Sequence, residues 1–118
     1  MMQRPYSPYI PEDVSDIMDL LGWMMLKSPK FEDKSGYFVG QNIDTTFFAL
    51  LEGLKNIEPK VGKENYDSLV VMSGRMREHF AADPDDKTDD GLAGRQIIFD
   101  MENLIKASVQ RRPPAASS

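Results

Sequence analysis

The sequence predicts an all-α fold: a single-domain bundle of about four helices joined by short loops, preceded by an extended proline-rich N-terminal arm. Three observations predict it. Apolar residues recur at i, i+3, i+4 and i+7 in four separate blocks. Helix-starting and helix-stopping residues stand at the ends of those blocks. A length of 118 residues with 41% hydrophobic content supports one packed core and is too short for two ordinary domains. Strand content is expected to be near zero.

Residues 1–11 hold Pro5, Pro8 and Pro11, with Tyr6, Tyr9 and Ile10 between them. Proline fixes φ and disfavours helix in the residue before it, so this segment reads as an extended arm. Its aromatics are expected to pack onto the body, with a frayed end as the alternative. The helical domain is expected over 12–106. Helix one should run from Pro11 or Glu12 to about Lys27, with Val14, Ile17, Met18, Leu21, Met24 and Met25 as its stripe, widened by Leu20 and Trp23. Ser28-Pro29 ends it. Residues 28–42 read as a structured loop in which Tyr37, Phe38 and Val39 form a short strand or an aromatic plug.

Helix two should open at Asn42 or Asp44, both good N-caps. Ile43, Phe47, Leu50, Leu51, Leu54 and Ile57 make its buried face, and Pro59 and Gly62 close it. Helix three should start near Lys63–Asn65 and reach Ala82, burying Tyr66, Leu69, Val70, Met76 and Phe80, with Ser73-Gly74 where another helix crosses closely. The polar segment DPDDKTDDG follows, and Asp89 or Asp90 should cap helix four. That helix presents Leu92, Ala93, Ile97, Ile98, Met101, Leu104 and Ile105. Residues 107–118 have the composition of a flexible tail.

Composition excludes several function classes. The chain has no cysteine, which removes disulfides, thiolate metal sites and cysteine nucleophiles together. No apolar run approaches the ~18 residues that a membrane span needs. The N-terminus has no apolar segment of the kind that marks a secretory signal, so a cytoplasmic protein with no membrane partner is expected. The net charge of -5, with no basic stripe, argues against a nucleic-acid partner and for a basic protein.

Tests for catalytic and metal chemistry are negative. His79 is the single histidine, so no zinc ligand set with His or Cys pairs can be built. It reads as a surface or boundary residue, and no nucleophile-elbow spacing places Ser68 or Ser73 with it. Gly36–Gly40 and Lys60–Lys63 match no phosphate-binding loop. An EF-hand register from Asp83 puts Lys87 at a ligand position and Thr88 where glycine is required. No pair of carboxylates is singled out for acid-base work, so a carboxylate enzyme is the weakest reading. No cofactor is expected, and the protein is expected not to be an enzyme.

Charge placement remains. Glu12, Asp13, Asp16 and Asp19 cluster at the start of helix one, with Glu12, Asp16 and Asp19 on a side away from its apolar stripe. Asp83, Asp85, Asp86, Asp89 and Asp90 crowd the turn before helix four against Lys87 alone. The plain reading of both is solvated faces and helix caps. The functional reading is a docking surface for a cationic protein, with Tyr37, Phe38 and Trp23 as candidate anchors.

The stretches Gly36–Ile57 and Met72–Ile105 carry a resemblance. GYFVGQNID, MREHF followed by ADPDDKT, and AGRQII near the start of the last helix resemble small α-helical immunity proteins of bacterial contact-dependent growth-inhibition systems. The resemblance implies a non-catalytic cytoplasmic protein that binds and neutralises a cognate toxin domain, many of which are nucleases. It transfers no catalytic residues. The alternative is a non-catalytic helical adaptor or regulatory protein that binds another basic protein.

Overall fold

The structure is a computed structural model, and it describes residues 8–32 and 40–110. Four helices account for the regular structure: α1 (Val14–Lys27), α2 (Ile43–Val61), α3 (Lys63–Ala82) and α4 (Asp89–Gln110). No strand occurs among the described residues. The fold is an all-α four-helix bundle. Helix α3 packs most extensively on α4 and then on α2, whereas α1 lies against α4 and α2 and does not touch α3.

Helix α1 begins later than the position of Pro11 suggests. Asp13 stays extended, and its carboxylate accepts the Asp16 N–H at 2.9 Å, which makes it the N-cap. Pro11 turns inward instead and is buried. Its carbonyl accepts a 2.8 Å hydrogen bond from Asn56 Nδ2 of α2. Gly53 of α2 makes room for this approach: a Cβ there would stand 2.9 Å from the Pro11 ring and 2.8 Å from Ile17 Cδ1. The described part of the arm is therefore packed on the bundle, while residues 1–7 lie outside the described residues.

After α1 the chain turns through Ser28–Lys30 and drives Phe31 into the core. Phe31 is fully buried, edge-on to Phe47 at 5.7 Å and to Phe80 at 5.3 Å, with Trp23 at 6.2 Å. It adopts φ 57°, a left-handed conformation that costs an L-residue about 1–2 kcal/mol. Burying a phenylalanine ring contributes about 1.5–3 kcal/mol, enough to offset that cost. The aromatic plug between α1 and α2 is thus Phe31. Tyr37 and Phe38, expected to serve as the plug and as anchors, lie outside the described residues.

Asn42 caps α2 through a reciprocal pair with Thr45, each side chain accepting the other's backbone N–H at 3.0 Å. The helix continues past Pro59 to Val61. Gly62 alone separates it from α3 at φ 90°, a conformation that glycine adopts without steric cost. The expected apolar faces of α2 and α3 are where the core lies: Phe47, Leu50, Leu54 and Ile57 on one, Leu69, Met76 and Phe80 on the other. Ser73 is buried as its place in a close crossing requires, but Gly74 is exposed.

Two expectations about α4 are corrected. Its first turn is held by Thr88, whose Oγ1 accepts the Asp90 N–H at 3.2 Å, rather than by Asp89 or Asp90. Its C-terminus runs through residues 107–110, which composition had assigned to a tail. Ser108 explains part of this: it is 8% exposed and donates to the Leu104 carbonyl, so a polar side chain is satisfied within the helix. Ile98, Met101 and Ile105 are fully buried, while Leu92, expected on the same face, is 61% exposed. Residues 111–118 lie outside the described residues.

Candidate protein-docking site

The acidic residues fall into two structurally different groups. Asp83 ends α3 and is 3% exposed. Its Oδ1 accepts the Lys87 N–H at 2.7 Å, and its Oδ2 accepts those of Thr88 at 3.1 Å and Gly91 at 2.9 Å. Burial alone pushes this carboxyl's pKa up, but the backbone donors of Lys87, Thr88 and Gly91 and the Thr88 hydroxyl prevail and hold it below the usual aspartate value. Asp83 organises the α3–α4 turn and is buried, which corrects its expected place on an exposed acidic surface.

The rest of the turn is also tied inward in part. Asp86 adopts φ 56° and pairs with Arg95 at 3.0 Å, while Arg95 also donates to Ser28 Oγ at 3.2 Å. Asp90 Oδ1 lies 2.8 Å from His79 Nδ1. A carboxylate only accepts there, so the proton sits on Nδ1 and the bond clasps the end of α3 to the start of α4. Asp85 is exposed and reaches Lys30 only at 3.9 Å. Asp89 is exposed as well.

Around α1 the carboxylates are arranged differently. Glu12, Asp13 and Asp19 are exposed and Asp16 is half-buried. Asp16 Oδ2 accepts the Tyr9 hydroxyl at 2.7 Å and the Glu12 N–H at 3.2 Å, which staples the arm to the helix. The hydrogen bond to Asp16, desolvation and the surrounding negative charge push the Tyr9 hydroxyl pKa up to about 12. Asp16 Oδ1 makes no hydrogen bond among the described residues.

Beside these groups lies a cleft of about 350 Å³ between the arm, α1 and α2. Pro8, Tyr9 and Pro11 form one wall, Leu20 and Trp23 another, and Ala49 and Thr46 of α2 a third. Asp16, Asp19 and Gln41 supply polar groups. Thr46 is 4% exposed and its Oγ1 has no hydrogen-bond partner among the described residues. Leaving a buried hydroxyl unpaired costs about 1–3 kcal/mol in protein mutational series, and among the described residues no other buried side-chain polar atom lacks a partner.

The structure therefore brings Asp16, Asp19 and Trp23 together, separates them from the turn, and removes Asp83 from the surface. Thr46 and Tyr9 are members of the cleft that sequence reasoning had not selected. Thr46 was accessible in principle, since it stands three residues after Ile43 and four before Leu50 on the buried face of α2. Tyr9 is expected from sequence only to pack on the body, and its place in the cleft depends on how the arm folds back. Among the described residues no group of three His, Cys, Asp or Glu is placed to hold a metal ion. No helix of the described residues is long and apolar enough to cross a membrane. Comparison with known proteins gave no match to a family model, a curated protein or a solved structure.

Proposed function

We propose that this protein is an immunity-type inhibitor. In this reading it is a non-catalytic helical domain that binds a basic, nuclease-type toxin domain in the cytoplasm and occludes its active site or substrate surface. The observation that carries the reading is the α1 face: Glu12, Asp16 and Asp19 stand beside a cleft floored by Trp23, joining negative charge to an apolar anchor site. Charge of one sign steers a cationic partner and speeds association, while a packed aromatic centre slows dissociation. A nuclease must present a basic surface to phosphate, which makes it a partner of the right sign.

Co-expression with a toxin domain encoded beside this chain tests the reading. Growth protection is expected, with loss of protection for Glu12→Lys/Asp19→Lys. Calorimetry should show a Kd raised about tenfold or more for that pair, and a smaller change for Asp85→Lys/Asp89→Lys. No protection by the unaltered protein, together with capture of a different basic protein, would favour the adaptor reading.

A further inference from the structure

The Trp23 cleft has features that a general acidic surface lacks. It is walled by aromatic and aliphatic groups, has carboxylates on one side only, and is lined by a buried threonine whose hydroxyl has no partner among the described residues. We propose that this cleft is a receptor for one arginine side chain of the protein partner. The inference rests on the α1 face being the docking surface and assigns the chemistry of its central contact.

The geometry favours a guanidinium over other occupants. A planar cation can lie against the Trp23 ring while its edge N–H groups reach carboxylate oxygens. Asp16 has Oδ1 free among the described residues, since Oδ2 is held by Tyr9 and Glu12. Asp19 is exposed at the same rim. Thr46 Oγ1, buried in the cleft wall, has no hydrogen-bond partner among the described residues. A guanidinium carries five N–H donors and no acceptor, which matches in number and sign the acceptors that line the cleft. Its aliphatic stem would run along Leu20 and Ala49. A volume of about 350 Å³ sits at the lower end of ligand-sized clefts and has room for one arginine side chain. An anion is excluded by the two carboxylates. A lysine ammonium also has three donors, but it is a compact, strongly hydrated point charge that lacks the planar fork needed to stack on the ring and bridge separated acceptors.

Trp23 is the only tryptophan in the chain, so its fluorescence reads the cleft directly. The full-length protein is titrated with acetyl-arginine-amide, acetyl-lysine-amide, acetyl-citrulline-amide and free arginine, with ¹⁵N chemical shifts recorded in parallel. Acetyl-arginine-amide should saturate with a Kd in the millimolar range, as expected for one side chain without its protein. The neutral citrulline isostere should bind at least about tenfold more weakly, a difference of about 1.4 kcal/mol. Asp19→Asn should weaken binding several-fold. Thr46→Val should weaken it while raising the melting temperature of the free protein, a split that a purely structural threonine would not show.

Equal response to arginine and citrulline probes, or shifts that bypass Trp23 and Thr46, overturns the proposal. Tighter binding of free arginine than of the capped probe overturns the assignment to a protein side chain. Growth protection without an arginine response refutes the cleft and leaves the inhibitor reading standing. An arginine response without protection does the reverse.

Discussion

Helix α1 with its arm and the turn between α3 and α4 are the two acidic regions of this molecule. In the turn, a buried aspartate gathers three backbone N–H groups, and two of its neighbours are held by Arg95 and His79. Around α1, one aspartate caps the helix, another fastens Tyr9, and Glu12 and Asp19 remain at the surface. The number of acids is similar and their use is not. A carboxylate whose oxygens are all taken by donors of the fold is part of that fold, and only one with an oxygen left over can meet a partner's charge.

The comparison can be broken most forcefully at Asp83. Asp83→Asn keeps the shape but replaces one acceptor oxygen with a donor that opposes a backbone N–H. Among these variants it should lower the thermal midpoint the most and open the turn, visible as lost hydrogen-exchange protection at Lys87, Thr88 and Gly91. The pH dependence has a definite sign. A carboxyl whose folded pKa lies below its unfolded value stabilises the fold above the ordinary aspartate pKa. That contribution is lost as pH falls through the depressed folded value, so the acid unfolding limb should flatten in the variant.

The arm is tested next by Gly53→Ala. A Cβ would meet Pro11 and Ile17 at under 3 Å, and overpacking of this kind costs about 1–3 kcal/mol. Alanine is the better helix former, so a stabilised variant would mean that the arm does not rest on α2. Chemical denaturation measures the change, and Trp23 fluorescence reports whether the cleft opens with it.

A smaller effect is expected from Tyr9→Phe. The Tyr9 pKa is raised in the folded state, so its bond to Asp16 contributes fully below the tyrosine's ordinary value of 10.0 and is lost as pH rises toward about 12. The unaltered protein should show arm release across that window, followed by Trp23 emission. In the variant, the cleft signal should be flat there, with little change in the global midpoint. The smallest effect belongs to Asp85→Lys and Asp89→Lys, which touch no buried donor. Their thermal midpoints should stay within the range of ordinary surface substitutions. A large drop would show that the exposed acids of the turn are structural too.

Much of the fold was legible from particular residues. Ile17, Leu21 and Met24, or Leu50, Leu54 and Ile57, announce a buried helical face by spacing alone, and the structure buries them. Asn42 with Thr45, and Gly62, mark helix ends through local backbone chemistry. Phe31 was not legible, since it stands alone among Lys30, Glu32 and Asp33 and no period points to it. The site was less legible than the fold. Counting acids located both regions but could not separate them, because the distinction lies in which N–H groups each carboxylate meets.

The sequence by itself determined the four helices, most of their boundaries and the apolar stripes that form the core, since those depend on neighbours within a turn or two of the chain. Tertiary structure alone decided that Asp83 is buried while Asp19 is not, that Phe31 fills the centre, and that the arm folds back to make a cleft with Trp23 and Thr46. Each of those outcomes depends on groups distant in sequence. A hydrogen-bond donor, a void or a carboxylate's exposure exists only after the helices have packed.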